Sequence, residues 1–285
     1  MKRLGLLILA LGAIICLNGC TSVDFSLPSG FSHGAKKDII RVKFTEPFSN
    51  VQLTAGQKNQ LVEIPKTTLI RNKRFVVLSG SKGDLTGTES YDFEVRPYVD
   101  LAQVSNQAYQ GYGCLVKLDV KLNDKAVGAY EDGFTVKAGS KVSLSRSRFK
   151  SGGVANVDWN TLFSEAYNKA LIQMDANIKA IYPICGTVIH IKNKAAKTEF
   201  TVDRGTNFGI SKNDEFVVYY VDQNDAITPV AIAKGMIGRE KSQVTVIAWN
   251  NEDSEVRDEI LPRIKRNDKT LLGNLFVVCR PEKKK

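Results

Sequence analysis

The sequence predicts an α+β fold, in which a mixed sheet packed by helices is followed by a small all-β barrel or sandwich. Two observations predict it. Between residues 158 and 182, apolar residues recur at three- and four-residue steps, which is typical of an amphipathic helix, and Pro183 ends the pattern. After Pro183, short apolar runs alternate with clusters of Gly, Asn and Asp. We therefore place a domain boundary at residues 182 and 183, which divides the folded chain into residues 38–182 and 183–285.

The first domain contains several segments with strand periodicity before the long helix. These strands are predicted at residues 38–44, 74–79, 91–104, 115–123 and 129–136. The last two form a hairpin around a turn at 124–128. Pro97 has no backbone N–H to donate, so we expect it at a sheet edge or a bulge.

A shorter helix is predicted between the first two strands. Thr54 and Gln57 have the spacing of a capping box, and apolar residues continue the helical pattern to about Asn72. Pro65 lies inside this segment, where it removes a donor and clashes one turn back. We expect a kink or two short helices.

The second domain is predicted to consist of short strands only. They are expected at residues 186–191, 197–202, 215–221, 230–237, 243–249 and 275–280.

The first twenty residues have the order of a secretory signal, with Lys2 and Arg3 before an apolar stretch from Leu4 to Leu17. Fourteen residues at 1.5 Å each are too short to cross roughly 30 Å of hydrocarbon. The stretch ends in Leu17, Asn18, Gly19 and Cys20 and resembles the lipobox of bacterial lipoproteins. The resemblance implies removal of residues 1–19 and acylation of Cys20. The alternative is a plain secreted protein.

The compartment follows from this signal. Thr21, rather than Asp, follows the cysteine, and by resemblance to enteric lipoproteins this implies the periplasmic side of the outer membrane. Loss of Lys2 and Arg3 lowers the formal net charge from +10 to +8. Residues 20–37 are rich in Ser, Gly and Pro, and we interpret them as a lipidated, flexible tether with a reach of roughly 20 to 25 Å.

Three cysteines remain after acylation of Cys20, and they face an oxidising compartment. Cys185 opens one predicted strand and Cys279 closes the last, so we expect a disulfide between these two and a buried thiol at Cys114. Three buried, reduced thiols are the alternative.

In residues 38–182, RVKF comes first, RFVVLS follows the short helix, and LVKLDVKLND opens the hairpin before the long closing helix. This order of elements resembles the periplasmic domain of the curli secretion protein CsgG. It is also similar to the N-terminal domain of TolB and to the lipoprotein activators of penicillin-binding proteins. Residues 201–221 (TVDRGTNFGISKNDEFVVYYV) are similar to the C-terminal domain of the flagellar assembly protein FlgT, with Gly205 and Gly209 at a predicted turn.

Signatures of enzymes are largely missing. The two histidines, His33 and His190, lie in the tether and in a predicted strand, so neither is placed for a catalytic triad or a metal cluster. No nucleophile elbow, phosphate loop, dinucleotide fingerprint or paired-cysteine zinc motif is present. We therefore predict a protein that is not an enzyme and has no cofactor and no metal.

Basic residues are concentrated between Lys141 and Lys150 and at the C-terminal Lys283–Lys285. Nucleic-acid binding is one interpretation, but secretion counts against it. A solvated linker, or a surface facing anionic lipid, peptidoglycan or an acidic partner, fits the compartment better.

These observations predict an outer-membrane lipoprotein that acts as a non-enzymatic scaffold or ring subunit of an envelope machine, such as a flagellar accessory structure or a secretion system. Its expected partners are the membrane, through the lipid anchor, and envelope proteins, in a homo-oligomer or a hetero-complex. A regulator of a peptidoglycan synthase is one alternative. A curli-like channel subunit is another, against which the short hairpin at 115–136 counts.

Overall fold

The structure, a computed structural model, describes residues 23–29, 31–50, 52–79, 90–105, 109–123, 133–145, 159–194 and 197–280. It has an α+β fold with a mixed sheet and helices, followed by a closed six-stranded antiparallel barrel. The predicted fold class is confirmed, and the second unit is a barrel rather than a sandwich.

The first sheet has the strand order β3-β1-β4-β5-β6, with a short β2 beside β4. Its strands are β1 (Ile40–Phe44), β2 (Phe48–Ser49), β3 (Phe75–Ser79), β4 (Phe93–Ser105), β5 (Tyr109–Leu122) and β6 (Phe134–Ser145). β1 pairs in parallel with β3 and β4, whereas β4, β5 and β6 pair antiparallel. On one side of β4, the residues before Pro97 pair with β1 and those after it pair with β2. Pro97 itself lies in the gap between the two pairings, where a residue without a backbone N–H is tolerated.

The hairpin is longer than the sequence pattern predicts. β5 has 14 residues and β6 has 12, and they pair from Tyr109 with Ser145 to Val120 with Phe134. β6 therefore contains the first part of the basic segment that begins at Lys141. This part of the segment is a strand and not a linker. The length of the hairpin no longer counts against a channel subunit.

Helix α1 (Ala55–Leu69) begins at the predicted capping box, since the Gln57 N–H donates to Thr54 and the Thr54 N–H donates to the Gln57 side chain. The prediction of two short helices is wrong, because α1 is one continuous helix with Pro65 buried inside it. The carbonyl of Leu61, which Pro65 cannot bond, accepts a hydrogen bond from the buried Tyr167 hydroxyl at 3.2 Å.

Helix α2 (Trp159–Ile181) is the long closing helix and covers one face of the sheet. Its inner side is fully buried against β5, β6 and α1. The buried residues are Leu162, Phe163, Ala166, Tyr167, Ala170, Leu171, Met174 and Ile178. Together with the inward side chains of the strands, they form the hydrophobic core of the first domain, which also includes Tyr182.

The barrel has the strand order β10-β11-β8-β7-β12-β9 and has its own core. Its strands are β7 (Cys185–Lys194), β8 (Lys197–Val202), β9 (Glu215–Val221), β10 (Ile227–Ile237), β11 (Ser242–Trp249) and β12 (Leu275–Arg280). The sequence pattern did not predict the helical segment of Val256–Ile260 and α3 (Leu261–Lys265). Its buried Val256, Ile260 and Ile264 belong to the barrel core.

Candidate functional site

The predicted tether is not a free coil where the structure describes it. Residues 23–29 and 31–38, which we call the strap, lie along the outside of the barrel. Phe25, Leu27 and Phe31 of the strap pack, half-buried, against the outer wall. The wall cluster under them consists of Cys185, Val217, Tyr219, Val221, Ile232 and Val278. Exposing such an apolar wall to water is unfavourable. Phe25, Leu27 and Phe31 cover part of it, and this burial of apolar surface holds the strap on the barrel.

Arg280, the last residue of β12, fixes the start of the strap. Its guanidinium donates to the Asp24 carbonyl at 2.9 Å and pairs with the Asp24 carboxylate at 3.1 Å. The same guanidinium also pairs with Glu215. Burial opposes ionisation of Glu215, but hydrogen bonds from Arg280 and Lys234 outweigh it and hold the pKa of Glu215 below its ordinary value. The ionised form of Glu215 is therefore favoured beside Arg280.

His33 occupies the centre of the strap. Its Nδ1 lies 2.9 Å from the hydroxyl oxygen of Tyr219, and its ring centroid lies 4.4 Å from that of Phe276. Burial and the charge of Lys36 lower the pKa of His33 from its ordinary 6.5, against an opposing effect of Asp225. Burial raises the pKa of Tyr219 above its ordinary value. The surroundings of His33 therefore favour its neutral form.

The end of the strap contacts both domains. Lys37 pairs with Asp92 of the first domain at 2.7 Å, and its ammonium lies 5.0 Å from the centre of the Tyr182 ring. The next residue, Asp38, pairs with Arg204 of the barrel domain at 3.2 Å. The segment between the predicted anchor and β1 is thus attached to the barrel and to the sheet.

The two domains also contact each other directly beside this point. Lys73 donates its backbone N–H to Asn207 at 2.6 Å, and its ammonium pairs with Glu240 at 2.9 Å. Arg74 is buried at the junction and donates to the carbonyl of Tyr182, just beyond the end of α2. Burial lowers the pKa of Arg74, although Asp175 opposes the shift.

The two predicted turn glycines lie at this junction. Gly209 has a φ of +83°, and a Cβ there would lie 2.4 Å from Nδ2 of Asn72 across the junction. Gly205 has an extended φ, and a Cβ there would lie 2.3 Å from the carbonyl oxygen of Gly238. Of the two, Gly209 needs a left-handed backbone, and at Gly205 the neighbouring backbone leaves no room for a side chain.

The predicted disulfide between Cys185 and Cys279 is not formed. All three described cysteines are free and buried. Cys185 pairs with Val278 and shares the outer-wall cluster with it, whereas Cys279, the next residue, lies in the barrel core. Successive side chains of a strand point to opposite faces, so the two sulfurs are separated by the barrel wall. Burial raises the pKa of Cys114 to about 11 and that of Cys185 to about 12.

A second surface is the face of the first sheet opposite the helices. No helix covers it among the residues that the structure describes, and charged side chains alternate there with the buried ones. Its basic residues are Arg41, Lys43, Arg96, Lys117, Lys121 and Lys137. Glu94, Asp100 and Asp119 are its acidic residues, so the face is basic on balance. We call it the open sheet face.

The remaining predicted residues are placed as follows. Leu17, Asn18, Gly19 and Cys20 lie outside the described residues, as do Lys283–Lys285. His190 lies exposed on β7. Within the described part of the chain, no three His, Cys, Asp or Glu side chains are grouped to hold a metal ion. Nor is any described helix long and apolar enough to cross a membrane.

The strap was missed by sequence reasoning, although a signal was present. Flexible linkers are poor in large apolar residues, yet Phe25, Leu27 and Phe31 lie within seven residues of one another. Such a group predicts a docked segment better than a coil.

Comparison with known proteins leaves the family open, because no family model matches the chain and no curated protein does. Among solved structures, the chain is similar to a hypothetical protein from Chlamydia trachomatis, with 10% identity over 50% of this chain and 98% of that one, and a TM-score of 0.32. A lipoprotein from Neisseria meningitidis has 8% identity, 48% and 99% coverage, and a TM-score of 0.28. A minor lipoprotein from Acinetobacter baumannii has 10% identity, 49% and 92% coverage, and a TM-score of 0.26.

TM-scores this low carry no argument about fold or function. The resemblances to CsgG, TolB, the penicillin-binding-protein activators and FlgT stay predictions.

Proposed function

We propose that this protein is an outer-membrane lipoprotein that faces the periplasm and acts as a non-enzymatic scaffold, or ring subunit, of an envelope machine. Cys20 is its anchor. The signal sequence and the lipobox residues Leu17 to Cys20 support the anchor. A flagellar accessory structure and a secretion system are the two kinds of machine that fit the predicted resemblances.

The observation that carries the proposal is the attachment of the strap to both domains. A protein that only needs to be retained at a membrane can hang on a flexible coil. A scaffold must hold its binding surfaces at a fixed position relative to the anchor, and the contacts of Asp24 with Arg280, Lys37 with Asp92, and Asp38 with Arg204 supply such a connection. The open sheet face, basic and uncovered by the described helices, then offers a surface for an envelope partner.

The anchor is tested by metabolic labelling with a fatty-acid analogue, comparing the natural protein with Cys20→Ser. We expect the label in the membrane fraction for the natural chain and its complete loss for Cys20→Ser. A natural chain that stays unlabelled and is released as a free periplasmic protein contradicts the anchor.

The scaffold role is tested by placing a photo-crosslinking amino acid at Lys121 or Lys137 of the open sheet face in living cells. Lys169, exposed on α2, is the matched control position. We expect adducts of defined mass from the two sheet positions and few from the control. Adducts to a peptidoglycan synthase favour the regulator instead, and monomer alone at every position contradicts a scaffold.

A further inference from the structure

The acidic and basic residues of the open sheet face differ in their partners. Each of its three carboxylates is engaged by a nearby side chain. The donors are Tyr91 for Glu94, Asn50 for Asp100, and Lys117 and Thr135 for Asp119. Four of its cations are exposed and form no ion pair in the part of the chain that the structure describes. They are Arg41, Arg96, Lys121 and Lys137. The charge that remains without a partner on this face is therefore positive.

The middle of the face places two like charges opposite each other. Lys117 on β5 is the register partner of Lys137 on β6. Like charges at directly opposite positions of neighbouring strands are destabilising. Asp119 pairs with Lys117 at 2.9 Å, whereas Lys137 has no carboxylate partner among the described residues. A carboxylate supplied from outside the chain would relieve this repulsion.

A group of apolar side chains lies beside these lysines on the same face. The Phe48 ring is 63% exposed, and its centroid lies 5.7 Å from that of Tyr98. The Lys117 ammonium lies 4.5 Å from the centre of the Tyr98 ring. Leu115 is 43% exposed and lies two residues from Lys117 along β5, so both point to the same face. We call Phe48, Tyr98 and Leu115 the apolar corner. Exposed aromatic side chains of this kind are enriched in protein–protein contacts.

We propose that the open sheet face binds an acidic segment of another envelope protein. Carboxylates of that segment lie at the four unpaired cations, and one of its apolar side chains lies on the apolar corner. This inference rests on the proposed function and names the chemistry of its partner. Apolar contact supplies affinity, and the positioned charges supply the choice of partner.

The arrangement of charge selects a protein segment over other anionic occupants. Asp119 is the register partner of Arg96, and Glu94 is that of Lys121, so carboxylates are interleaved with the cations. A membrane surface or a nucleic-acid backbone is negative throughout and would meet these carboxylates as well. A polypeptide places its charges opposite the cations alone. A second copy of this chain presents the same positive balance, so two open sheet faces repel each other.

The test places a photo-crosslinking amino acid at Leu115 in living cells and identifies the crosslinked species by mass spectrometry. An apolar crosslinker preserves the character of the apolar corner and leaves every cation of the face unchanged. Ile172, 65% exposed on α2, is the matched control position. We expect peptides of another protein with net negative charge at Leu115, and none of these peptides at Ile172.

Three results overturn the inference. They are adducts at Leu115 with neutral or basic peptides, adducts there with lipid or a second copy, and no adduct at Leu115 at all. Adducts with neutral or basic peptides leave the scaffold role intact. Monomer alone at every position, including Lys121 and Lys137, contradicts the scaffold role itself, so the two failures are distinguishable.

The charge requirement is measured by titrating a synthetic copy of the crosslinked peptide against the mature chain carrying Cys20→Ser. Lys137→Gln should weaken the affinity about twofold to fivefold, which is the range for one exposed ion pair. Lys137→Arg keeps the charge and should retain the natural affinity. Lys58→Gln, at an exposed position of α1, is the matched control and should change nothing. An equal loss for Lys58→Gln, or an affinity that does not fall as salt is added, overturns recognition by charge.

The apolar corner is tested in the same titration. Phe48→Ala should weaken the affinity about fivefold or more, because an exposed aromatic ring becomes buried in the contact. Val62→Ala, 43% exposed on α1 in the natural chain, should leave the affinity unchanged. An unchanged affinity for Phe48→Ala contradicts the apolar contact.

Discussion

The sheet of the first domain and the wall of the barrel each have an apolar face that is covered by another segment, but the covers differ. The sheet is covered by α2, whose inner side chains, such as Phe163 and Tyr167, are fully buried. The barrel wall is covered by the strap, whose Phe25, Leu27 and Phe31 are only half-buried. Because its side chains are less buried, we expect each strap contact to contribute less to the free energy of unfolding than a contact of α2.

The largest effect is expected where the cover is a helix. Phe163→Ala should lower the free energy of unfolding by about 3 to 5 kcal/mol, because it leaves a cavity between α2 and the sheet. Urea denaturation measures it. Ile172→Ala on the exposed side of the same helix is the control, and we expect a change within about 0.5 kcal/mol. Similar losses for both variants contradict the described packing.

The next effect concerns the unbroken helix α1. Tyr167→Phe removes the hydroxyl that bonds the Leu61 carbonyl, which Pro65 leaves without its usual partner. The cost should be about 1 to 3 kcal/mol, since a buried acceptor becomes unsatisfied. In the Pro65→Ala background the same change should cost less, because that substitution restores the backbone donor. A double-mutant cycle without coupling between the two sites contradicts this explanation.

A smaller effect is expected for the strap. Phe31→Ala removes a half-buried ring that lies edge-on to Tyr219, with ring centroids 5.5 Å apart. The free energy of unfolding should fall by about 1 kcal/mol, and proteolysis within the strap should become faster. Phe48→Ala, where the ring is 63% exposed, is the matched control and should change neither. Unchanged proteolysis of Phe31→Ala would show that the strap is not held by this contact.

The smallest effect is a dependence of the strap on pH. Its surroundings lower the pKa of His33 below 6.5, so the neutral form is favoured when the strap is docked. Docking is fully favoured above about pH 6.5 and weakens as the pH falls from there through the lowered pKa. Proteolysis of the strap should therefore be faster at about pH 5.5 than at about pH 7.5. His33→Gln should abolish this difference, and a difference that persists must arise from another group.

Local pattern was sufficient for much of the fold. The spacing of Leu162, Phe163 and Ala166 predicts α2, and alternation predicts the six barrel strands within a few residues, because each signal lies within one element. The continuity of α1 through Pro65 could not be predicted, since the group that bonds the Leu61 carbonyl is the hydroxyl of Tyr167, about a hundred residues away. The length of β5 and β6 also depends on pairing between strands rather than on either strand alone.

The candidate site was less accessible to sequence reasoning. The lipobox is a local motif, so Cys20 could be proposed from residues 17–20 alone. The strap depends on an apolar wall that exists only after β9, β10 and β12 have paired. The disulfide prediction for Cys185 and Cys279 went wrong for the same reason, because their opposite orientations follow from the register of β7 and β12.

The central claim is that the strap is docked on the barrel wall, and the aromatic contacts of His33 test it most directly. The chain has only two histidines, so selective labelling of His in the mature protein makes the ring protons of His33 readily observable by NMR. With ring centroids 4.4 Å apart, strong nuclear Overhauser effects to Phe276 are predicted, together with effects to Tyr219 at 5.7 Å. Sharp, random-coil signals from His33 without either contact would contradict the account.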